Sequence, residues 1–189
     1  MSSCRPSSLT PPFPLALGLG LPRTTVPGRL IAAGALLSVV PDLDVMGLRF
    51  GVPYGSPFGH RGATHSLAFA AILALACALG HRALRARPRT AFLYLFAAAA
   101  SHGVLDAFTD GGRGVALLWP LTAERYFAPF RPIAVAPLSA ARLLTRQGAT
   151  VLLSELLFVW LPCALLALTL AALRWKSPAD GEKSPPAAP

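Results

Sequence analysis

Long apolar runs, separated by short polar clusters, constrain the fold of this chain more than any other feature. The run from Thr150 to Leu173 contains Glu155 as its only charged residue and Pro162 as its only proline. A membrane-spanning helix needs about 20 mostly apolar residues, so this run is long enough to cross a bilayer. Charged residues make up only 13% of the chain, against roughly 25% in soluble domains. The sequence therefore predicts an integral membrane protein.

The positions of the runs predict an all-α architecture. Three membrane-spanning helices are expected at residues 64–81, 90–107 and 150–173. Two further apolar segments, at 13–22 and 28–40, are too short to span alone and suit re-entrant or protein-buried helices. We therefore expect a membrane-embedded helical bundle of three to five transmembrane or re-entrant helices.

This bundle is expected to form one domain, from residue 13 to residue 176. Residues 1–12 are expected to be disordered. The same is expected of residues 177–189, which are rich in proline and alanine and lack large apolar side chains.

The formal net charge of +9 raises the question of a nucleic-acid partner. The arginines are scattered between apolar runs, and no basic stripe interleaved with aromatic residues is present. We therefore expect membrane lipid, and not nucleic acid, as the partner of these charges. Cys4, Cys77 and Cys163 have no close spacing, which indicates neither a disulfide framework nor a cysteine zinc site.

Three polar clusters stand at the ends of predicted helices. Pro41–Asp44 follows the helix at 28–40, His60–Ser66 opens the next helix, and Ser101–Gly112 closes the helix at 90–107. Because successive helices alternate in direction, all three clusters fall on the same side of the membrane. The loop with Arg82, Arg85, Arg87 and Arg89 falls on the other side. Lysine and arginine favour the cytoplasmic side, so the clusters are expected on the periplasmic or outer side of a multi-pass inner-membrane protein.

The spacing within Ser101–Gly112 indicates a functional face. His102, Asp106 and Asp110 are four residues apart, so they share one helix face if the helix continues that far. Such a face forms either a metal site or a proton relay. Ionisable groups within a membrane are costly and usually functional, and the convergence of three clusters favours the metal site. The predicted ligands are Asp42, Asp44, His60, His65, His102 and Asp106.

The donor set indicates a divalent metal, zinc, manganese or a similar ion, and either one or two ions. Imidazole and carboxylate ligands suit these metals, and a bound metal supplies a hydroxide nucleophile at neutral pH. Arg61 and Arg113 are placed to bind an anionic substrate. Asp110 is expected to be a further ligand or to orient a histidine. We predict Asp110, in this role, and Arg61, beside the substrate anion, as the catalytic residues.

These motifs, with Thr109-Asp110-Gly111-Gly112 and Leu118-Trp119-Pro120, resemble the bacterial YdjM family over most of the chain, from about Pro11 to Leu173. The resemblance implies an inner-membrane, metal-dependent hydrolase. The family is distantly similar to zinc-dependent phospholipase C and P1 nuclease, which implies a phosphoester or lipid-linked substrate. Many members carry a Thr-His pair near the N-terminus, and that histidine is implied as a ligand. Here Thr10-Pro11 stands in its place.

Three functions therefore stay open. The first is a membrane-bound metal-dependent hydrolase acting on an anionic small molecule or lipid. The second is a non-catalytic membrane protein with a degraded site, which the missing N-terminal histidine favours. The third is an ion- or proton-coupled transporter, although no inverted repeat is visible and the polar residues cluster on one side instead of at the midplane. Metal content distinguishes the first reading from the second.

Overall fold

The structure, a computed structural model, describes residues 11–135 and 145–176, and this part of the chain is helical without a β-strand. Two single β-bridges, Thr109 to Ile133 and Val115 to Tyr126, connect the loops. The predictions of disorder concern residues that lie, apart from Pro11 and Pro12, outside the described part. The helices are α1 (Pro12–Gly20), α2 (Gly28–Leu37), α3 (Val45–Arg49), α4 (Leu67–Ala78), α5 (Pro88–Ala107), α6 (Arg146–Glu155) and α7 (Leu161–Lys176).

Three helical stretches are long and apolar enough to cross a membrane: Gly28–Arg49, Pro88–Ala107 and Gly148–Trp175. The prediction of an all-α membrane bundle is confirmed. The last stretch combines α6 and α7 through the wide π-helical turn Leu156–Trp160.

Two predicted spans differ from the structure. The helix expected over 64–81 is only the 12-residue α4, about 18 Å long, which is shorter than the roughly 30 Å hydrocarbon core. Conversely, the helical stretch that begins at Gly28 continues past Pro41 to Arg49. Proline fits the first turn of a helix, where its missing N–H is not needed, and Pro41 lies there in the 3₁₀ turn Val40–Asp44 that leads into α3.

The long helix α5 lies at the centre and packs against α1, α2 and α4. Glycines allow this close approach: a Cβ on Gly34 would lie 2.5 Å from Tyr94 Cε1, and one on Gly18 would lie 2.5 Å from Ile31 Cγ1. Small residues serve the same purpose at helix contacts in membranes. The buried apolar core formed here consists of Val26, Leu30, Ile31, Leu37, Ala74, Ala78, Ala91, Tyr94 and Leu95.

The bundle has two chemically different ends. At one end Arg29 donates to the carbonyl of Ala83 and Arg174 to that of Leu21, which places the arginine-rich loop and the C-terminus of α7 at the same end, beside the connection between α1 and α2. We call this the arginine end. At the opposite end, the turn after α2, the start of α4 and the end of α5 meet. The three polar clusters therefore share one end of the bundle, which we call the site end.

Candidate metal centre

Four buried side chains from three separate segments converge at the site end. Asp42 comes from the 3₁₀ turn after α2, His65 from the short turn before α4, and His102 and Asp106 from successive turns of α5. One ligand atom from each of the four lies within 4.8 Å of the others. All four are predicted ligands, and we call this set the four-ligand group.

The distances within the four-ligand group suit one four-coordinate ion. His102 Nε2 lies 3.1 Å from Asp42 Oδ1, 3.1 Å from His65 Nε2 and 3.7 Å from Asp106 Oδ2. His65 Nε2 lies 3.3 Å from Asp106 Oδ2 and 3.6 Å from Asp42 Oδ1. Tetrahedral zinc with ligands at 2.0–2.2 Å requires ligand–ligand distances of about 3.3–3.6 Å. The residues present could therefore hold a metal ion.

The orientation of His102 supports the same conclusion. Its Nδ1 lies 2.7 Å from the carbonyl oxygen of Ser38, and because a carbonyl only accepts, Nδ1 carries the proton. The Nε2 lone pair is then directed at the other three ligands. Metal-binding histidines almost always donate their second nitrogen in this way, which sets the tautomer and the ring orientation.

One carboxylate oxygen of the group bears on whether these residues fit a cation. Asp42 Oδ2 is buried and has no hydrogen-bond partner among residues 11–135 and 145–176. A buried polar atom without a partner costs about 1–3 kcal/mol, and more when it is charged. The oxygen that faces the histidines is Oδ1, so a cation ligated by both oxygens of this carboxylate would remove the cost.

Asp44 belongs to a neighbouring set that shares His65. Asp44, His60 and His65 form a second group whose ligand atoms lie within 4.8 Å of one another. Asp44 Oδ1 accepts from His60 Nδ1 at 2.6 Å. Asp44 Oδ2 lies 3.2 Å from His65 Nδ1 and accepts from the hydroxyl of Thr64. His65 is therefore shared by the two groups: Asp42, His102 and Asp106 lie on its Nε2 side, and Asp44 and His60 on its Nδ1 side.

The charges around His65 are mainly negative. Burial lowers the pKa of His65, but hydrogen bonds with Asp106, Asp42 and Asp44 raise it more, so that it lies at about 10. Metal ligation requires the neutral imidazole, so an ion would bind at His65 in competition with a proton.

Arg61 lies inside the site end and not at its surface. Its guanidinium pairs with Asp106 Oδ1 at 3.0 Å and donates to Thr109 Oγ1 at 2.8 Å and to the carbonyl of Gly111 at 2.9 Å. The backbone of Arg61 is left-handed, with φ at +62°. The sequence predicts a catalytic and substrate-binding role for Arg61, and the structure places its guanidinium between Asp106 and the loop that follows α5.

The other two predicted site residues lie outside both ligand groups. Asp110 is exposed, and its Oδ1 accepts from the backbone N–H of Val135 at 2.9 Å, because α5 ends at Ala107 before the four-residue spacing reaches it. Arg113 is exposed, and its Cζ lies 5.9 Å from the centroid of the Tyr54 ring. The Tyr54 ring in turn contacts His60, with centroids 5.5 Å apart, so Arg113 lies near the second ligand group.

Sequence reasoning missed three residues that organise this end. Thr64 donates to Asp44, and the Ser38 carbonyl orients His102. Arg125 donates to the carbonyls of His60 and Tyr54 at 2.8 and 3.0 Å, although it lies 65 residues after His60. The position of Thr64 directly before a predicted ligand was a usable signal. A backbone carbonyl and a distant arginine leave none in the sequence.

Close backbone contact sets the position of His65 against α5. A Cβ on Gly103 would lie 2.3 Å from the carbonyl oxygen of His65, so only glycine permits this contact. The amide of Leu67, two residues after His65, donates to the Leu117 carbonyl at 3.0 Å, and the hydroxyl of Ser66 caps α4 at Phe69. The ligand turn is therefore held from both sides.

A family model described as YdjM inner membrane protein matches residues 13–178 of the chain. The chain belongs to the YdjM family. The predicted resemblance is thereby confirmed, and the YdjM match includes every residue of both ligand groups.

A curated YdjM relative gives the same result. The chain is 48% identical to the inner membrane protein YbcI of Escherichia coli (strain K12) over 154 residues, which cover 81% of this chain and 89% of that protein. The relative and the three apolar helices fit an inner-membrane protein. No solved structure matches the chain.

Proposed function

We propose that this protein is a membrane-bound, metal-dependent hydrolase that cleaves a phosphoester in an anionic or lipid-linked substrate. The observation that carries the proposal is the four-ligand group itself. Buried ionisable residues within a membrane protein are expensive and usually functional, and two imidazoles with two carboxylates suit zinc or manganese. The YdjM resemblance adds the expectation of hydrolysis.

In this proposal Asp42, His65, His102 and Asp106 hold the ion. A bound divalent metal supplies a hydroxide at neutral pH and stabilises negative charge on a phosphoryl oxygen. Arg61 keeps the Asp106 carboxylate in position through its pair at 3.0 Å. The Ser38 carbonyl does the same for His102.

The second ligand group is assigned to proton handling. Asp44 accepts from His60 Nδ1, which leaves the lone pair of the neutral imidazole at Nε2, where it can accept a proton. A carboxylate that orients a histidine in this way is common in general acid–base catalysis. A second ion at Asp44 and His60 is the alternative arrangement, and metal stoichiometry distinguishes the two.

Arg113 is the remaining candidate for contact with the substrate anion. It is exposed near Tyr54 and His60, and its guanidinium suits a phosphate group. The interior position of Arg61 makes Arg113 the better candidate of the two.

The test compares two aspartates of one motif in detergent-purified protein. Wild type should contain near-stoichiometric zinc or manganese by elemental analysis, and Asp106→Ala should lose it. Asp110→Ala is the matched control and should keep it, because its carboxylate binds the Val135 amide. Hydrolysis of a phosphoester panel should follow the metal. Wild-type protein that binds no more metal than Asp106→Ala would refute the proposal, and stoichiometric metal without hydrolysis would favour the non-catalytic reading.

We also propose that the site end faces the periplasm. The arginine end carries Arg82, Arg85, Arg87, Arg89 and Arg174, and positive charge favours the cytoplasmic side. The ligand groups lie at the opposite end.

A further inference from the structure

The loops at the site end expose apolar side chains outside the three candidate spans. Leu121 is 90% exposed, Phe50 81% and Phe58 69%. The Phe58 ring contacts the Trp119 ring edge-on, with centroids 5.9 Å apart, and Leu121 follows in the same turn. We call Phe58, Trp119 and Leu121 the apolar rim. Single exposed apolar residues are ordinary, whereas grouped ones mark an interaction surface.

The apolar rim is joined directly to the ligand segments. The carbonyl of Pro57 accepts from the amide of Ala63 at 2.8 Å, and the carbonyl of Leu117 accepts from that of Leu67 at 3.0 Å. These bonds fall on either side of His65, so the rim and the metal ligand share one loop framework.

Apolar surface also leads from this end to the lipid-facing side of the bundle. The Phe130 ring packs against Phe158, with centroids 6.0 Å apart, and Phe158 lies within the span Gly148–Trp175. Around it the span exposes a continuous set of leucines: Leu152, Leu153, Leu156 and Leu157. Apolar side chains are therefore exposed both on the loops of the site end and on the adjoining part of this candidate span.

The depth of the ligands along α5 also places the site end close to the membrane surface. His102 is 14 residues after Pro88, the first residue of α5, which corresponds to about 21 Å along the helix axis. The hydrocarbon core is roughly 30 Å thick. With the start of α5 at the headgroups of the arginine end, His102 lies within the bilayer thickness, near its opposite face.

Exposed cations accompany the apolar surface. Arg49, Arg113 and Arg131 are exposed at the site end, and the Cζ of Arg131 lies 4.7 Å from the centroid of the Phe127 ring. Arginine attracts anionic headgroups, and aromatic side chains are enriched at the membrane–water boundary. This combination suits an anionic lipid leaflet better than a soluble protein.

We infer that the apolar rim inserts into the anionic leaflet at the site end, and that the substrate is a phosphoester lipid of that leaflet. The second half of this inference rests on the proposed function. In the reaction the oxygen of water forms a new bond to phosphorus. The phosphorus–oxygen ester bond breaks, and the ester oxygen leaves with a proton as an alcohol.

Spin labels test the insertion without any activity measurement. Cys4, Cys77 and Cys163 are first replaced by serine. Three variants then each carry one cysteine, at Leu121, at Leu36 as the lipid reference, or at Arg82 as the water reference. Each spin-labelled variant is placed in nanodiscs that contain phosphatidylglycerol. The label at 121 should collide with oxygen as often as the label at 36, and rarely with a water-soluble nickel chelate. Accessibility like that at 82 would overturn the inference. Protection from both reagents would also overturn it, because it would indicate a protein–protein contact.

Substrate presentation tests the lipid class. Metal-loaded protein is given long-chain phosphatidylglycerol in nanodiscs, or dihexanoyl phosphatidylglycerol as a soluble monomer. We expect at least tenfold faster hydrolysis of the bilayer lipid, and Leu121→Ser should reduce only that rate. Leu79→Ser, an exposed leucine at the arginine end, is the matched control. Equal rates on both forms would overturn the lipid assignment. Hydrolysis of neither would count against the proposed function, and the spin labels would still decide the insertion.

Discussion

His65 and His102 face each other through their Nε2 atoms at 3.1 Å, although they are 37 residues apart in the chain. Each ring is held from its other nitrogen, His102 by the Ser38 carbonyl and His65 by Thr64 and Asp44. Two nitrogens directed at one point, with Asp42 and Asp106 beside them, form a geometry that a cation would stabilise.

Asp44→Asn should weaken metal binding without abolishing it. Asp44 contacts His65 on the Nδ1 side, away from the four-ligand group, and loss of such outer partners typically costs 10–100-fold in affinity. Competition with a metal-sensitive chelating dye measures the affinity. Asp110→Asn removes a nearby charge outside the groups and should change it little. Complete loss of metal in Asp44→Asn would indicate instead that Asp44 is itself a ligand.

Arg61→Ala should destabilise the protein strongly. The pair between Arg61 and Asp106 is buried, with side chains 3% and 2% exposed, and removal of one partner of a buried pair costs about 3–5 kcal/mol. Unfolding in mixed detergent micelles, followed by circular dichroism, measures the loss. The exposed Arg113→Ala is the control and should leave stability unchanged. Similar small effects in both variants would mean that Arg61 does not have the structural role described.

Gly103→Ala should displace the ligand turn. The added methyl would meet the His65 carbonyl oxygen at 2.3 Å, and overpacking of this kind typically costs about 1–3 kcal/mol. We expect reduced metal content and a lower unfolding midpoint. Gly28→Ala meets nothing within 4 Å and should behave as wild type. Normal metal content in Gly103→Ala would show that α5 and the turn can separate without loss of the site.

Membrane orientation is tested with single cysteines on the same cysteine-free background. Arg113→Cys lies at the site end and Arg82→Cys at the arginine end. In intact bacterial cells with a permeabilised outer membrane, an impermeant maleimide should label position 113, and it should label position 82 only after lysis. The reverse pattern would place the ligand groups on the cytoplasmic side.

The site was more predictable from the sequence than the helix lengths were. The grouping of Asp42, His65, His102 and Asp106 follows from alternating helix direction, and the structure brings them together. The lengths of the spans could not be predicted from the sequence in the same way. The helix predicted at 28–40 continues through Pro41 into α3, whereas the helix predicted at 64–81 is helical only over α4. Proline and short turns allow both outcomes, and the difference depends on what the next segment packs against.

The sequence by itself determined the membrane class, the helical architecture and the common end of the polar clusters. These properties depend on local apolar runs and on hydrogen bonds between residues four apart. Only the tertiary structure decided which His65 nitrogen faces which group, that Arg61 holds Asp106, and that Asp110 binds the Val135 amide. These contacts join residues 21–45 positions apart, so they depend on how closely the helices pack, as at Gly103, and local sequence does not encode that distance.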